Sequence, residues 1–170
     1  DASFYIFDIS VPASPTVVAV ISIPSFSGQI LLDEVRGFVY IPNRQSANNA
    51  DTVDQVVCIN INEASPNFLE TLLFDSAENP FGGFYDGVDL LYVAAQIEAL
   101  LYNVNDLSGF SFVNLGVTTN LGRELEAADT REIMLTPSGA NLFVSNLSDN
   151  FLILNTTEFL QPAGPGSFDL

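Results

Sequence analysis

The chain is 170 residues long, 48% hydrophobic and 15% charged, and sets 21 acidic residues against four arginines for a formal net charge of -17. It has no His and no Lys, which removes His-based triads, His-ligated metals, Schiff-base lysines and P-loop phosphate binding from its own repertoire. That charge repels nucleic-acid phosphates and anionic membrane surfaces, while the apolar content suffices for a buried core.

Short runs rich in Val, Ile, Phe and Tyr, bounded by Gly, Pro, Asn, Asp and Ser, predict an all-β chain. The first run, 4–9, contains Asp8 and is followed across Ser14-Pro15 by a strand at 16–23. Strands are then predicted at 29–33, 38–41, 56–61 (containing Asn60) and 68–74, the last after Ser65-Pro66. A third group runs through 82–85, 90–93, 100–104 (containing Asn103) and 110–117, and a fourth through 132–136, 141–144 and 151–156 (containing Asn155). Asp8, Asn60, Asn103 and Asn155 recur at spacings of 52, 43 and 52, and the aromatics Tyr40, Tyr92 and Phe143 at 52 and 51, so two strand series share one period. An Asx side chain that accepts a backbone N–H two residues on would end the third strand of each unit. Asp86-Gly87 and Pro137-Ser138-Gly139 read as tight hairpin turns. Cys58, between Val57 and Ile59, reads as a small buried hydrophobe; it shares one repeated strand environment with Tyr5, Tyr102 and Ile153, and most of the four are expected to be buried between adjacent sheets.

A four-stranded unit of about 40 to 50 residues in tandem is the signature of a β-propeller blade. Residues 131–146, with Thr136-Pro137-Ser138-Gly139 leading into Leu142-Phe143-Val144, resemble the YVTN-type propeller repeat. Tyr5-Ile6-Phe7-Asp8-Ile9-Ser10, followed by Pro12, Ser14-Pro15 and Val17-Val18, is similar to the LVIVD-type repeat of bacterial extracytoplasmic propellers. The resemblance implies about three blades of four antiparallel strands in an incomplete ring. Its parts are two outer strands at 3–23, blades at 28–74 and 81–117, a partial blade at 131–159 and a tail at 160–170. It also implies an extracytoplasmic setting, whether periplasm, cell surface or secreted. Thirteen predicted strands fall short of a closed ring, so the rest is expected from the same parent chain or from a protein partner.

Function in such a scaffold concentrates in long loops. The loops at 44–54 and 118–130 are long and polar, and the binding-face candidates are Arg44, Asp51, Asp54, Asp75, Glu78, Glu98 and Arg123. Asn48, Asn49, Asp51 and Asp54 form an oxygen-rich set suited to Ca²⁺, set against a solvated loop whose Asn and Asp side chains cap their own backbone. No other cofactor is expected. Residues 123–128 fit a helical turn, and Asn146 and Asn155 each begin an N-glycosylation sequon.

The leading expectation is a non-catalytic scaffold or binding module. The alternatives are a glycoside hydrolase, which needs only two carboxylates roughly 5 to 10 Å apart, and a lactonase-like propeller. The candidate carboxylates for the hydrolase are Asp51, Asp54, Asp75, Glu78 and Glu98.

Overall fold

The computed structural model describes residues 2–24, 26–44, 55–75, 80–95, 98–104, 113–118, 130–146 and 151–156, and every regular element within them is a β-strand. Sheet 1 pairs β1 (Ala2–Asp8) with β2 (Thr16–Ile23). Sheet 2 contains β3 (Phe26–Ser27), β4 (Leu31–Asp33), β5 (Phe38–Arg44), β6 (Gln55–Asn60) and β7 (Thr71–Asp75), with β3 and β4 both paired to β5. Sheet 3 is β8 (Gly82–Tyr85), β9 (Leu90–Ala95), β10 (Glu98–Asn103) and β11 (Val113–Thr118), and sheet 4 is β12 (Thr130–Leu135), β13 (Asn141–Asn146) and β14 (Phe151–Asn155). All pairings are antiparallel, and all but that of β3 with β5 join strands consecutive along the chain.

The two-residue β3 is absent from the sequence expectation, and its origin is local. Register slips by one residue between Ser27↔Asn43 and Leu31↔Tyr40. Pro42 lies opposite this slip and has no N–H to give to the ladder, so the strand paired to β5 on that side breaks there into β3 and β4. Gly28 fills the break: its N–H reaches the Pro42 carbonyl at 3.4 Å, and a Cβ on it would stand 2.1 Å from the Phe81 carbonyl oxygen.

Register, rather than sequence spacing alone, defines the repeat. Phe38 pairs with Asn60, Leu90 with Asn103 and Asn141 with Asn155, so Tyr40, Tyr92 and Phe143 each stand two residues beyond an equivalent pair. The Asx side chains act as their positions predict where they are described: Asp8 Oδ1 accepts the Ser10 N–H at 2.7 Å and Asn60 Oδ1 the Asn62 N–H at 2.9 Å. A bulge falls between Ile6 and Phe7 in sheet 1 and between Leu101 and Tyr102 in sheet 3, the same place relative to Asp8 and Asn103.

Alternation along each strand gives the interior sheets two apolar faces, and the sheets stack on them. Phe4 and Ile21 of sheet 1 pack with Val39, Ile41, Val57 and Ile59 of sheet 2. The opposite face of sheet 2, with Leu31, Tyr40 and Cys58, packs on Leu91, Val93, Leu100 and Tyr102 of sheet 3. Tyr92 and Leu101, on the far face of sheet 3, pack on Ile133, Leu142 and Val144 of sheet 4.

This order corrects one expectation. Cys58 and Tyr102 are buried, but Tyr5 and Ile153 are both 53% exposed. Tyr102 faces the preceding sheet and Cys58 the following one; by strand alternation Tyr5 lies on the same face of its sheet as Tyr102, and Ile153 on the same face as Cys58. Tyr5 lies on the outer face of sheet 1 and Ile153 on the outer face of sheet 4, where no described sheet covers them.

Burial first, and the Asp33 charge second, push the Cys58 thiol up to about 12 from its usual 9.0, and burial raises the Tyr40 phenol as well. The folded chain therefore holds the Cys58 proton more tightly than the unfolded chain does. That stability is complete below pH 9 and is lost as pH rises toward 12. Denaturant midpoints should fall across this interval, and substituting Cys58→Ala should flatten the decline. Thiol labelling at pH 8 should proceed only as fast as the chain opens.

Candidate functional site

Three places on the stack carry chemistry: the hairpin ends of sheets 2 and 3, their opposite ends, and the uncovered sheet faces. At the hairpin ends, a side chain at an equivalent position pins the turns between β4 and β5, β8 and β9, and β12 and β13. Asp33 Oδ1 accepts the Arg36 N–H at 3.0 Å, Asp86 Oδ1 accepts the N–H groups of Val88, Asp89 and Leu90 at 2.8–3.0 Å, and Thr136 Oγ1 accepts the Asn141 N–H at 3.1 Å. Gly37, Gly87 and Gly139 adopt φ values of 74°, 83° and 71° to complete these turns.

The first two turns are joined by Arg36. Its Nη1 donates to Asp33 Oδ2 at 3.0 Å and to the Tyr85 hydroxyl at 2.5 Å, and its Nη2 donates to Asp89 Oδ1 at 2.5 Å. Tyr40 donates its hydroxyl to the same Asp33 oxygen at 3.3 Å, and the Tyr40 and Tyr85 rings tilt together at 5.9 Å. Asp33 is fully buried, while the Arg36 side chain is 21% exposed. Partial burial works against the guanidinium charge, but the Asp33 hydrogen bond leads the contacts that outweigh it and raise the Arg36 pKa. The residues are clamped to one another, so the cluster is an electrostatic clip between two sheets, with no free base or nucleophile. Sequence reading missed it; the available signal was a rare cation, Arg36, in the same hairpin as Asp33.

At the opposite ends, backbone register places Arg44 beside Phe26, Asp75 beside Gln55 and Glu98 beside Ala95. These three candidates thus occupy strand ends of sheets 2 and 3, where loop positions were expected for all of them. Asn48, Asn49, Asp51, Asp54, Glu78 and Arg123, the 123–128 turn and the 160–170 tail lie outside the described residues. Among the described residues no group of three or more His, Cys, Asp or Glu is placed to hold a metal ion, and no helix is long and apolar enough to cross a membrane. Asn43, one residue before Arg44, is fully buried, and neither of its side-chain amide atoms has a hydrogen-bond partner among the described residues. An unpaired buried amide costs roughly 1–3 kcal/mol, which marks this strand end as unusually polar for its depth.

Strands β4 and β8 approach closely here. A Cβ on Gly83 would stand 2.6 Å from Leu31 Cδ1 and 2.8 Å from the Tyr92 carbonyl oxygen, and the Gly83 N–H reaches Gln29 Oε1 at 2.8 Å. Glycine at this position lets β4 and β8 converge.

Between sheets 1 and 2, a groove of about 590 Å³ is lined by Phe4, Ile6, Asp8, Val39, Ile61 and Phe68 among others. The outer faces of sheets 1 and 4 also carry exposed apolar side chains. Sheet 1 exposes Tyr5 and Phe7, stacked at 6.2 Å, beside Val18 and Val20, and sheet 4 exposes Met134 and Ile153. No protein-family model matches the chain, and no curated protein matches it.

Removing Arg36 while leaving Asp33 buried strands a carboxylate at the sheet 2–sheet 3 junction. R36M should cost on the order of 3 kcal/mol in denaturant unfolding. The D33N/R36M double variant should recover most of that loss, because no unpaired charge then stays buried. Equal losses in the two variants would show that the clip contributes by packing alone.

Proposed function

We propose that the chain is a section of an extracytoplasmic β-propeller of the YVTN or LVIVD repeat type, serving as a non-catalytic scaffold in protein–protein or surface assembly. The propeller reading is supported by meanders in chain order, a recurring Asx register and inner strands that converge across successive sheets, β8 with both β4 and β12. The extracytoplasmic setting rests on the repeat resemblance.

The observation that carries the assembly role is the pair of apolar outer faces. At about 25 cal/mol per Å², each ~400 Å² of apolar sheet left in water forfeits about 10 kcal/mol, comparable with the stability of a whole domain. Contiguous apolar patches of this kind mark interaction surfaces. The clipped Arg36 cluster and the absence of His and Lys support binding over catalysis.

The native chain should bind a hydrophobic dye such as ANS, and the Y5S/V20S variant should lose much of that signal without losing secondary structure. The glycosidase and lactonase readings are tested on aryl glycosides and lactones: turnover abolished by D75N or E98Q would overturn the scaffold assignment.

A further inference from the structure

We infer that the outer faces of sheets 1 and 4 are complementary halves of one interface, and that a second copy of this chain docks head to tail, its sheet 1 on sheet 4 of the first. The inference rests on the reading of the chain as an assembly scaffold and adds the partner and the geometry.

Continuity with the interfaces inside the chain supplies the argument. On the following face of sheet 2, Leu31, Tyr40 and Cys58 form one cross-strand row, and on sheet 3 the equivalent row is Phe84, Tyr92 and Leu101. Both rows are packed against the next sheet. The same register position on sheet 4 holds Met134, Phe143 and Ile153. Met134 is 61% exposed and Ile153 53%, so a row with the interior composition faces solvent.

The preceding faces follow the same rule. Counting three residues back from the Asx position gives Val57 and Leu100, which are essentially inaccessible in sheets 2 and 3. In sheet 1 that position is Tyr5, paired across the strand with Val20, and both are more than half exposed. Every interior junction in the chain joins a following face to a preceding face. One copy offers an uncovered face of each kind, so a second copy supplies both complements in the register the chain already uses. Such a contact is heterologous, and it leaves the unused face of each copy open for further addition.

Charge opposes this association. A net charge of -17 makes two copies repel, so added salt should strengthen the docking, the reverse of what ion pairing would give.

The test uses sedimentation of the full chain and two single-face variants, Y5E/V20E on sheet 1 and M134E/I153E on sheet 4. Wild type should associate, more so at high salt, and each variant alone should be monomeric. An equimolar mixture should form a one-to-one dimer through the two intact faces, with circular dichroism confirming that both variants fold. Wild-type association in which the variants also self-associate, or fail to complement, overturns the head-to-tail geometry alone. A wild-type chain that stays monomeric and binds no dye overturns the scaffold reading with it.

Discussion

A β-sheet with apolar side chains on both faces is stable in water only as a layer, and this chain is organised around that constraint. Val57 and Cys58 are neighbours on β6, point to opposite sides, and are both fully buried, one against sheet 1 and the other against sheet 3. Neither sheet 2 nor sheet 3 can therefore be edited on one face without disturbing a layer interface. The glycines at 28 and 83 belong to the same constraint, since they allow close approach where sheets 2 and 3 meet.

Polar groups then fix relative position, which apolar packing does not. Arg36 reaches from the turn of one sheet to Tyr85 and Asp89 on the next, and it is the charged contact described between two sheets. Asp33, wholly buried, is held by three donors: the Arg36 backbone N–H, the Arg36 guanidinium and the Tyr40 hydroxyl. Truncating the guanidinium leaves a charge with nowhere to go, whereas truncating both partners leaves only packing to repair. The Asx turns are cheaper devices, each ending a strand with a local hydrogen bond.

Strand order was legible in the sequence because period-two alternation and Asx or Pro punctuation are local signals. The strands at 16–23 and 82–85 appear at the expected bounds. What was not legible depended on register across strands. Tyr5 and Tyr102 read as one class with Cys58 because they share an aromatic-aliphatic setting, yet a one-residue offset from the Asx position turns them to the other face. The break at Pro42 needed knowledge of which residue it opposes. Arg36 carried a weak signal, a cation near an Asp in a hairpin, but its bonds to Tyr85 and Asp89 span about 50 residues and follow only from sheet stacking. The loop carboxylates singled out by composition gained neighbours only in part: Asp75 and Glu98 have backbone positions, and the others lie outside the described residues.

Amide hydrogen exchange followed by mass spectrometry over a range of protein concentrations tests most directly whether the stack continues beyond its two outer sheets. Peptides from β5, β6, β9 and β10 should be protected equally at every concentration, because their faces are covered within one chain. Peptides from β1, β2, β12 and β13 should exchange faster in dilute solution and gain protection as concentration rises. Protection of the outer sheets that is already maximal in dilute solution, and does not change with concentration, would contradict this account.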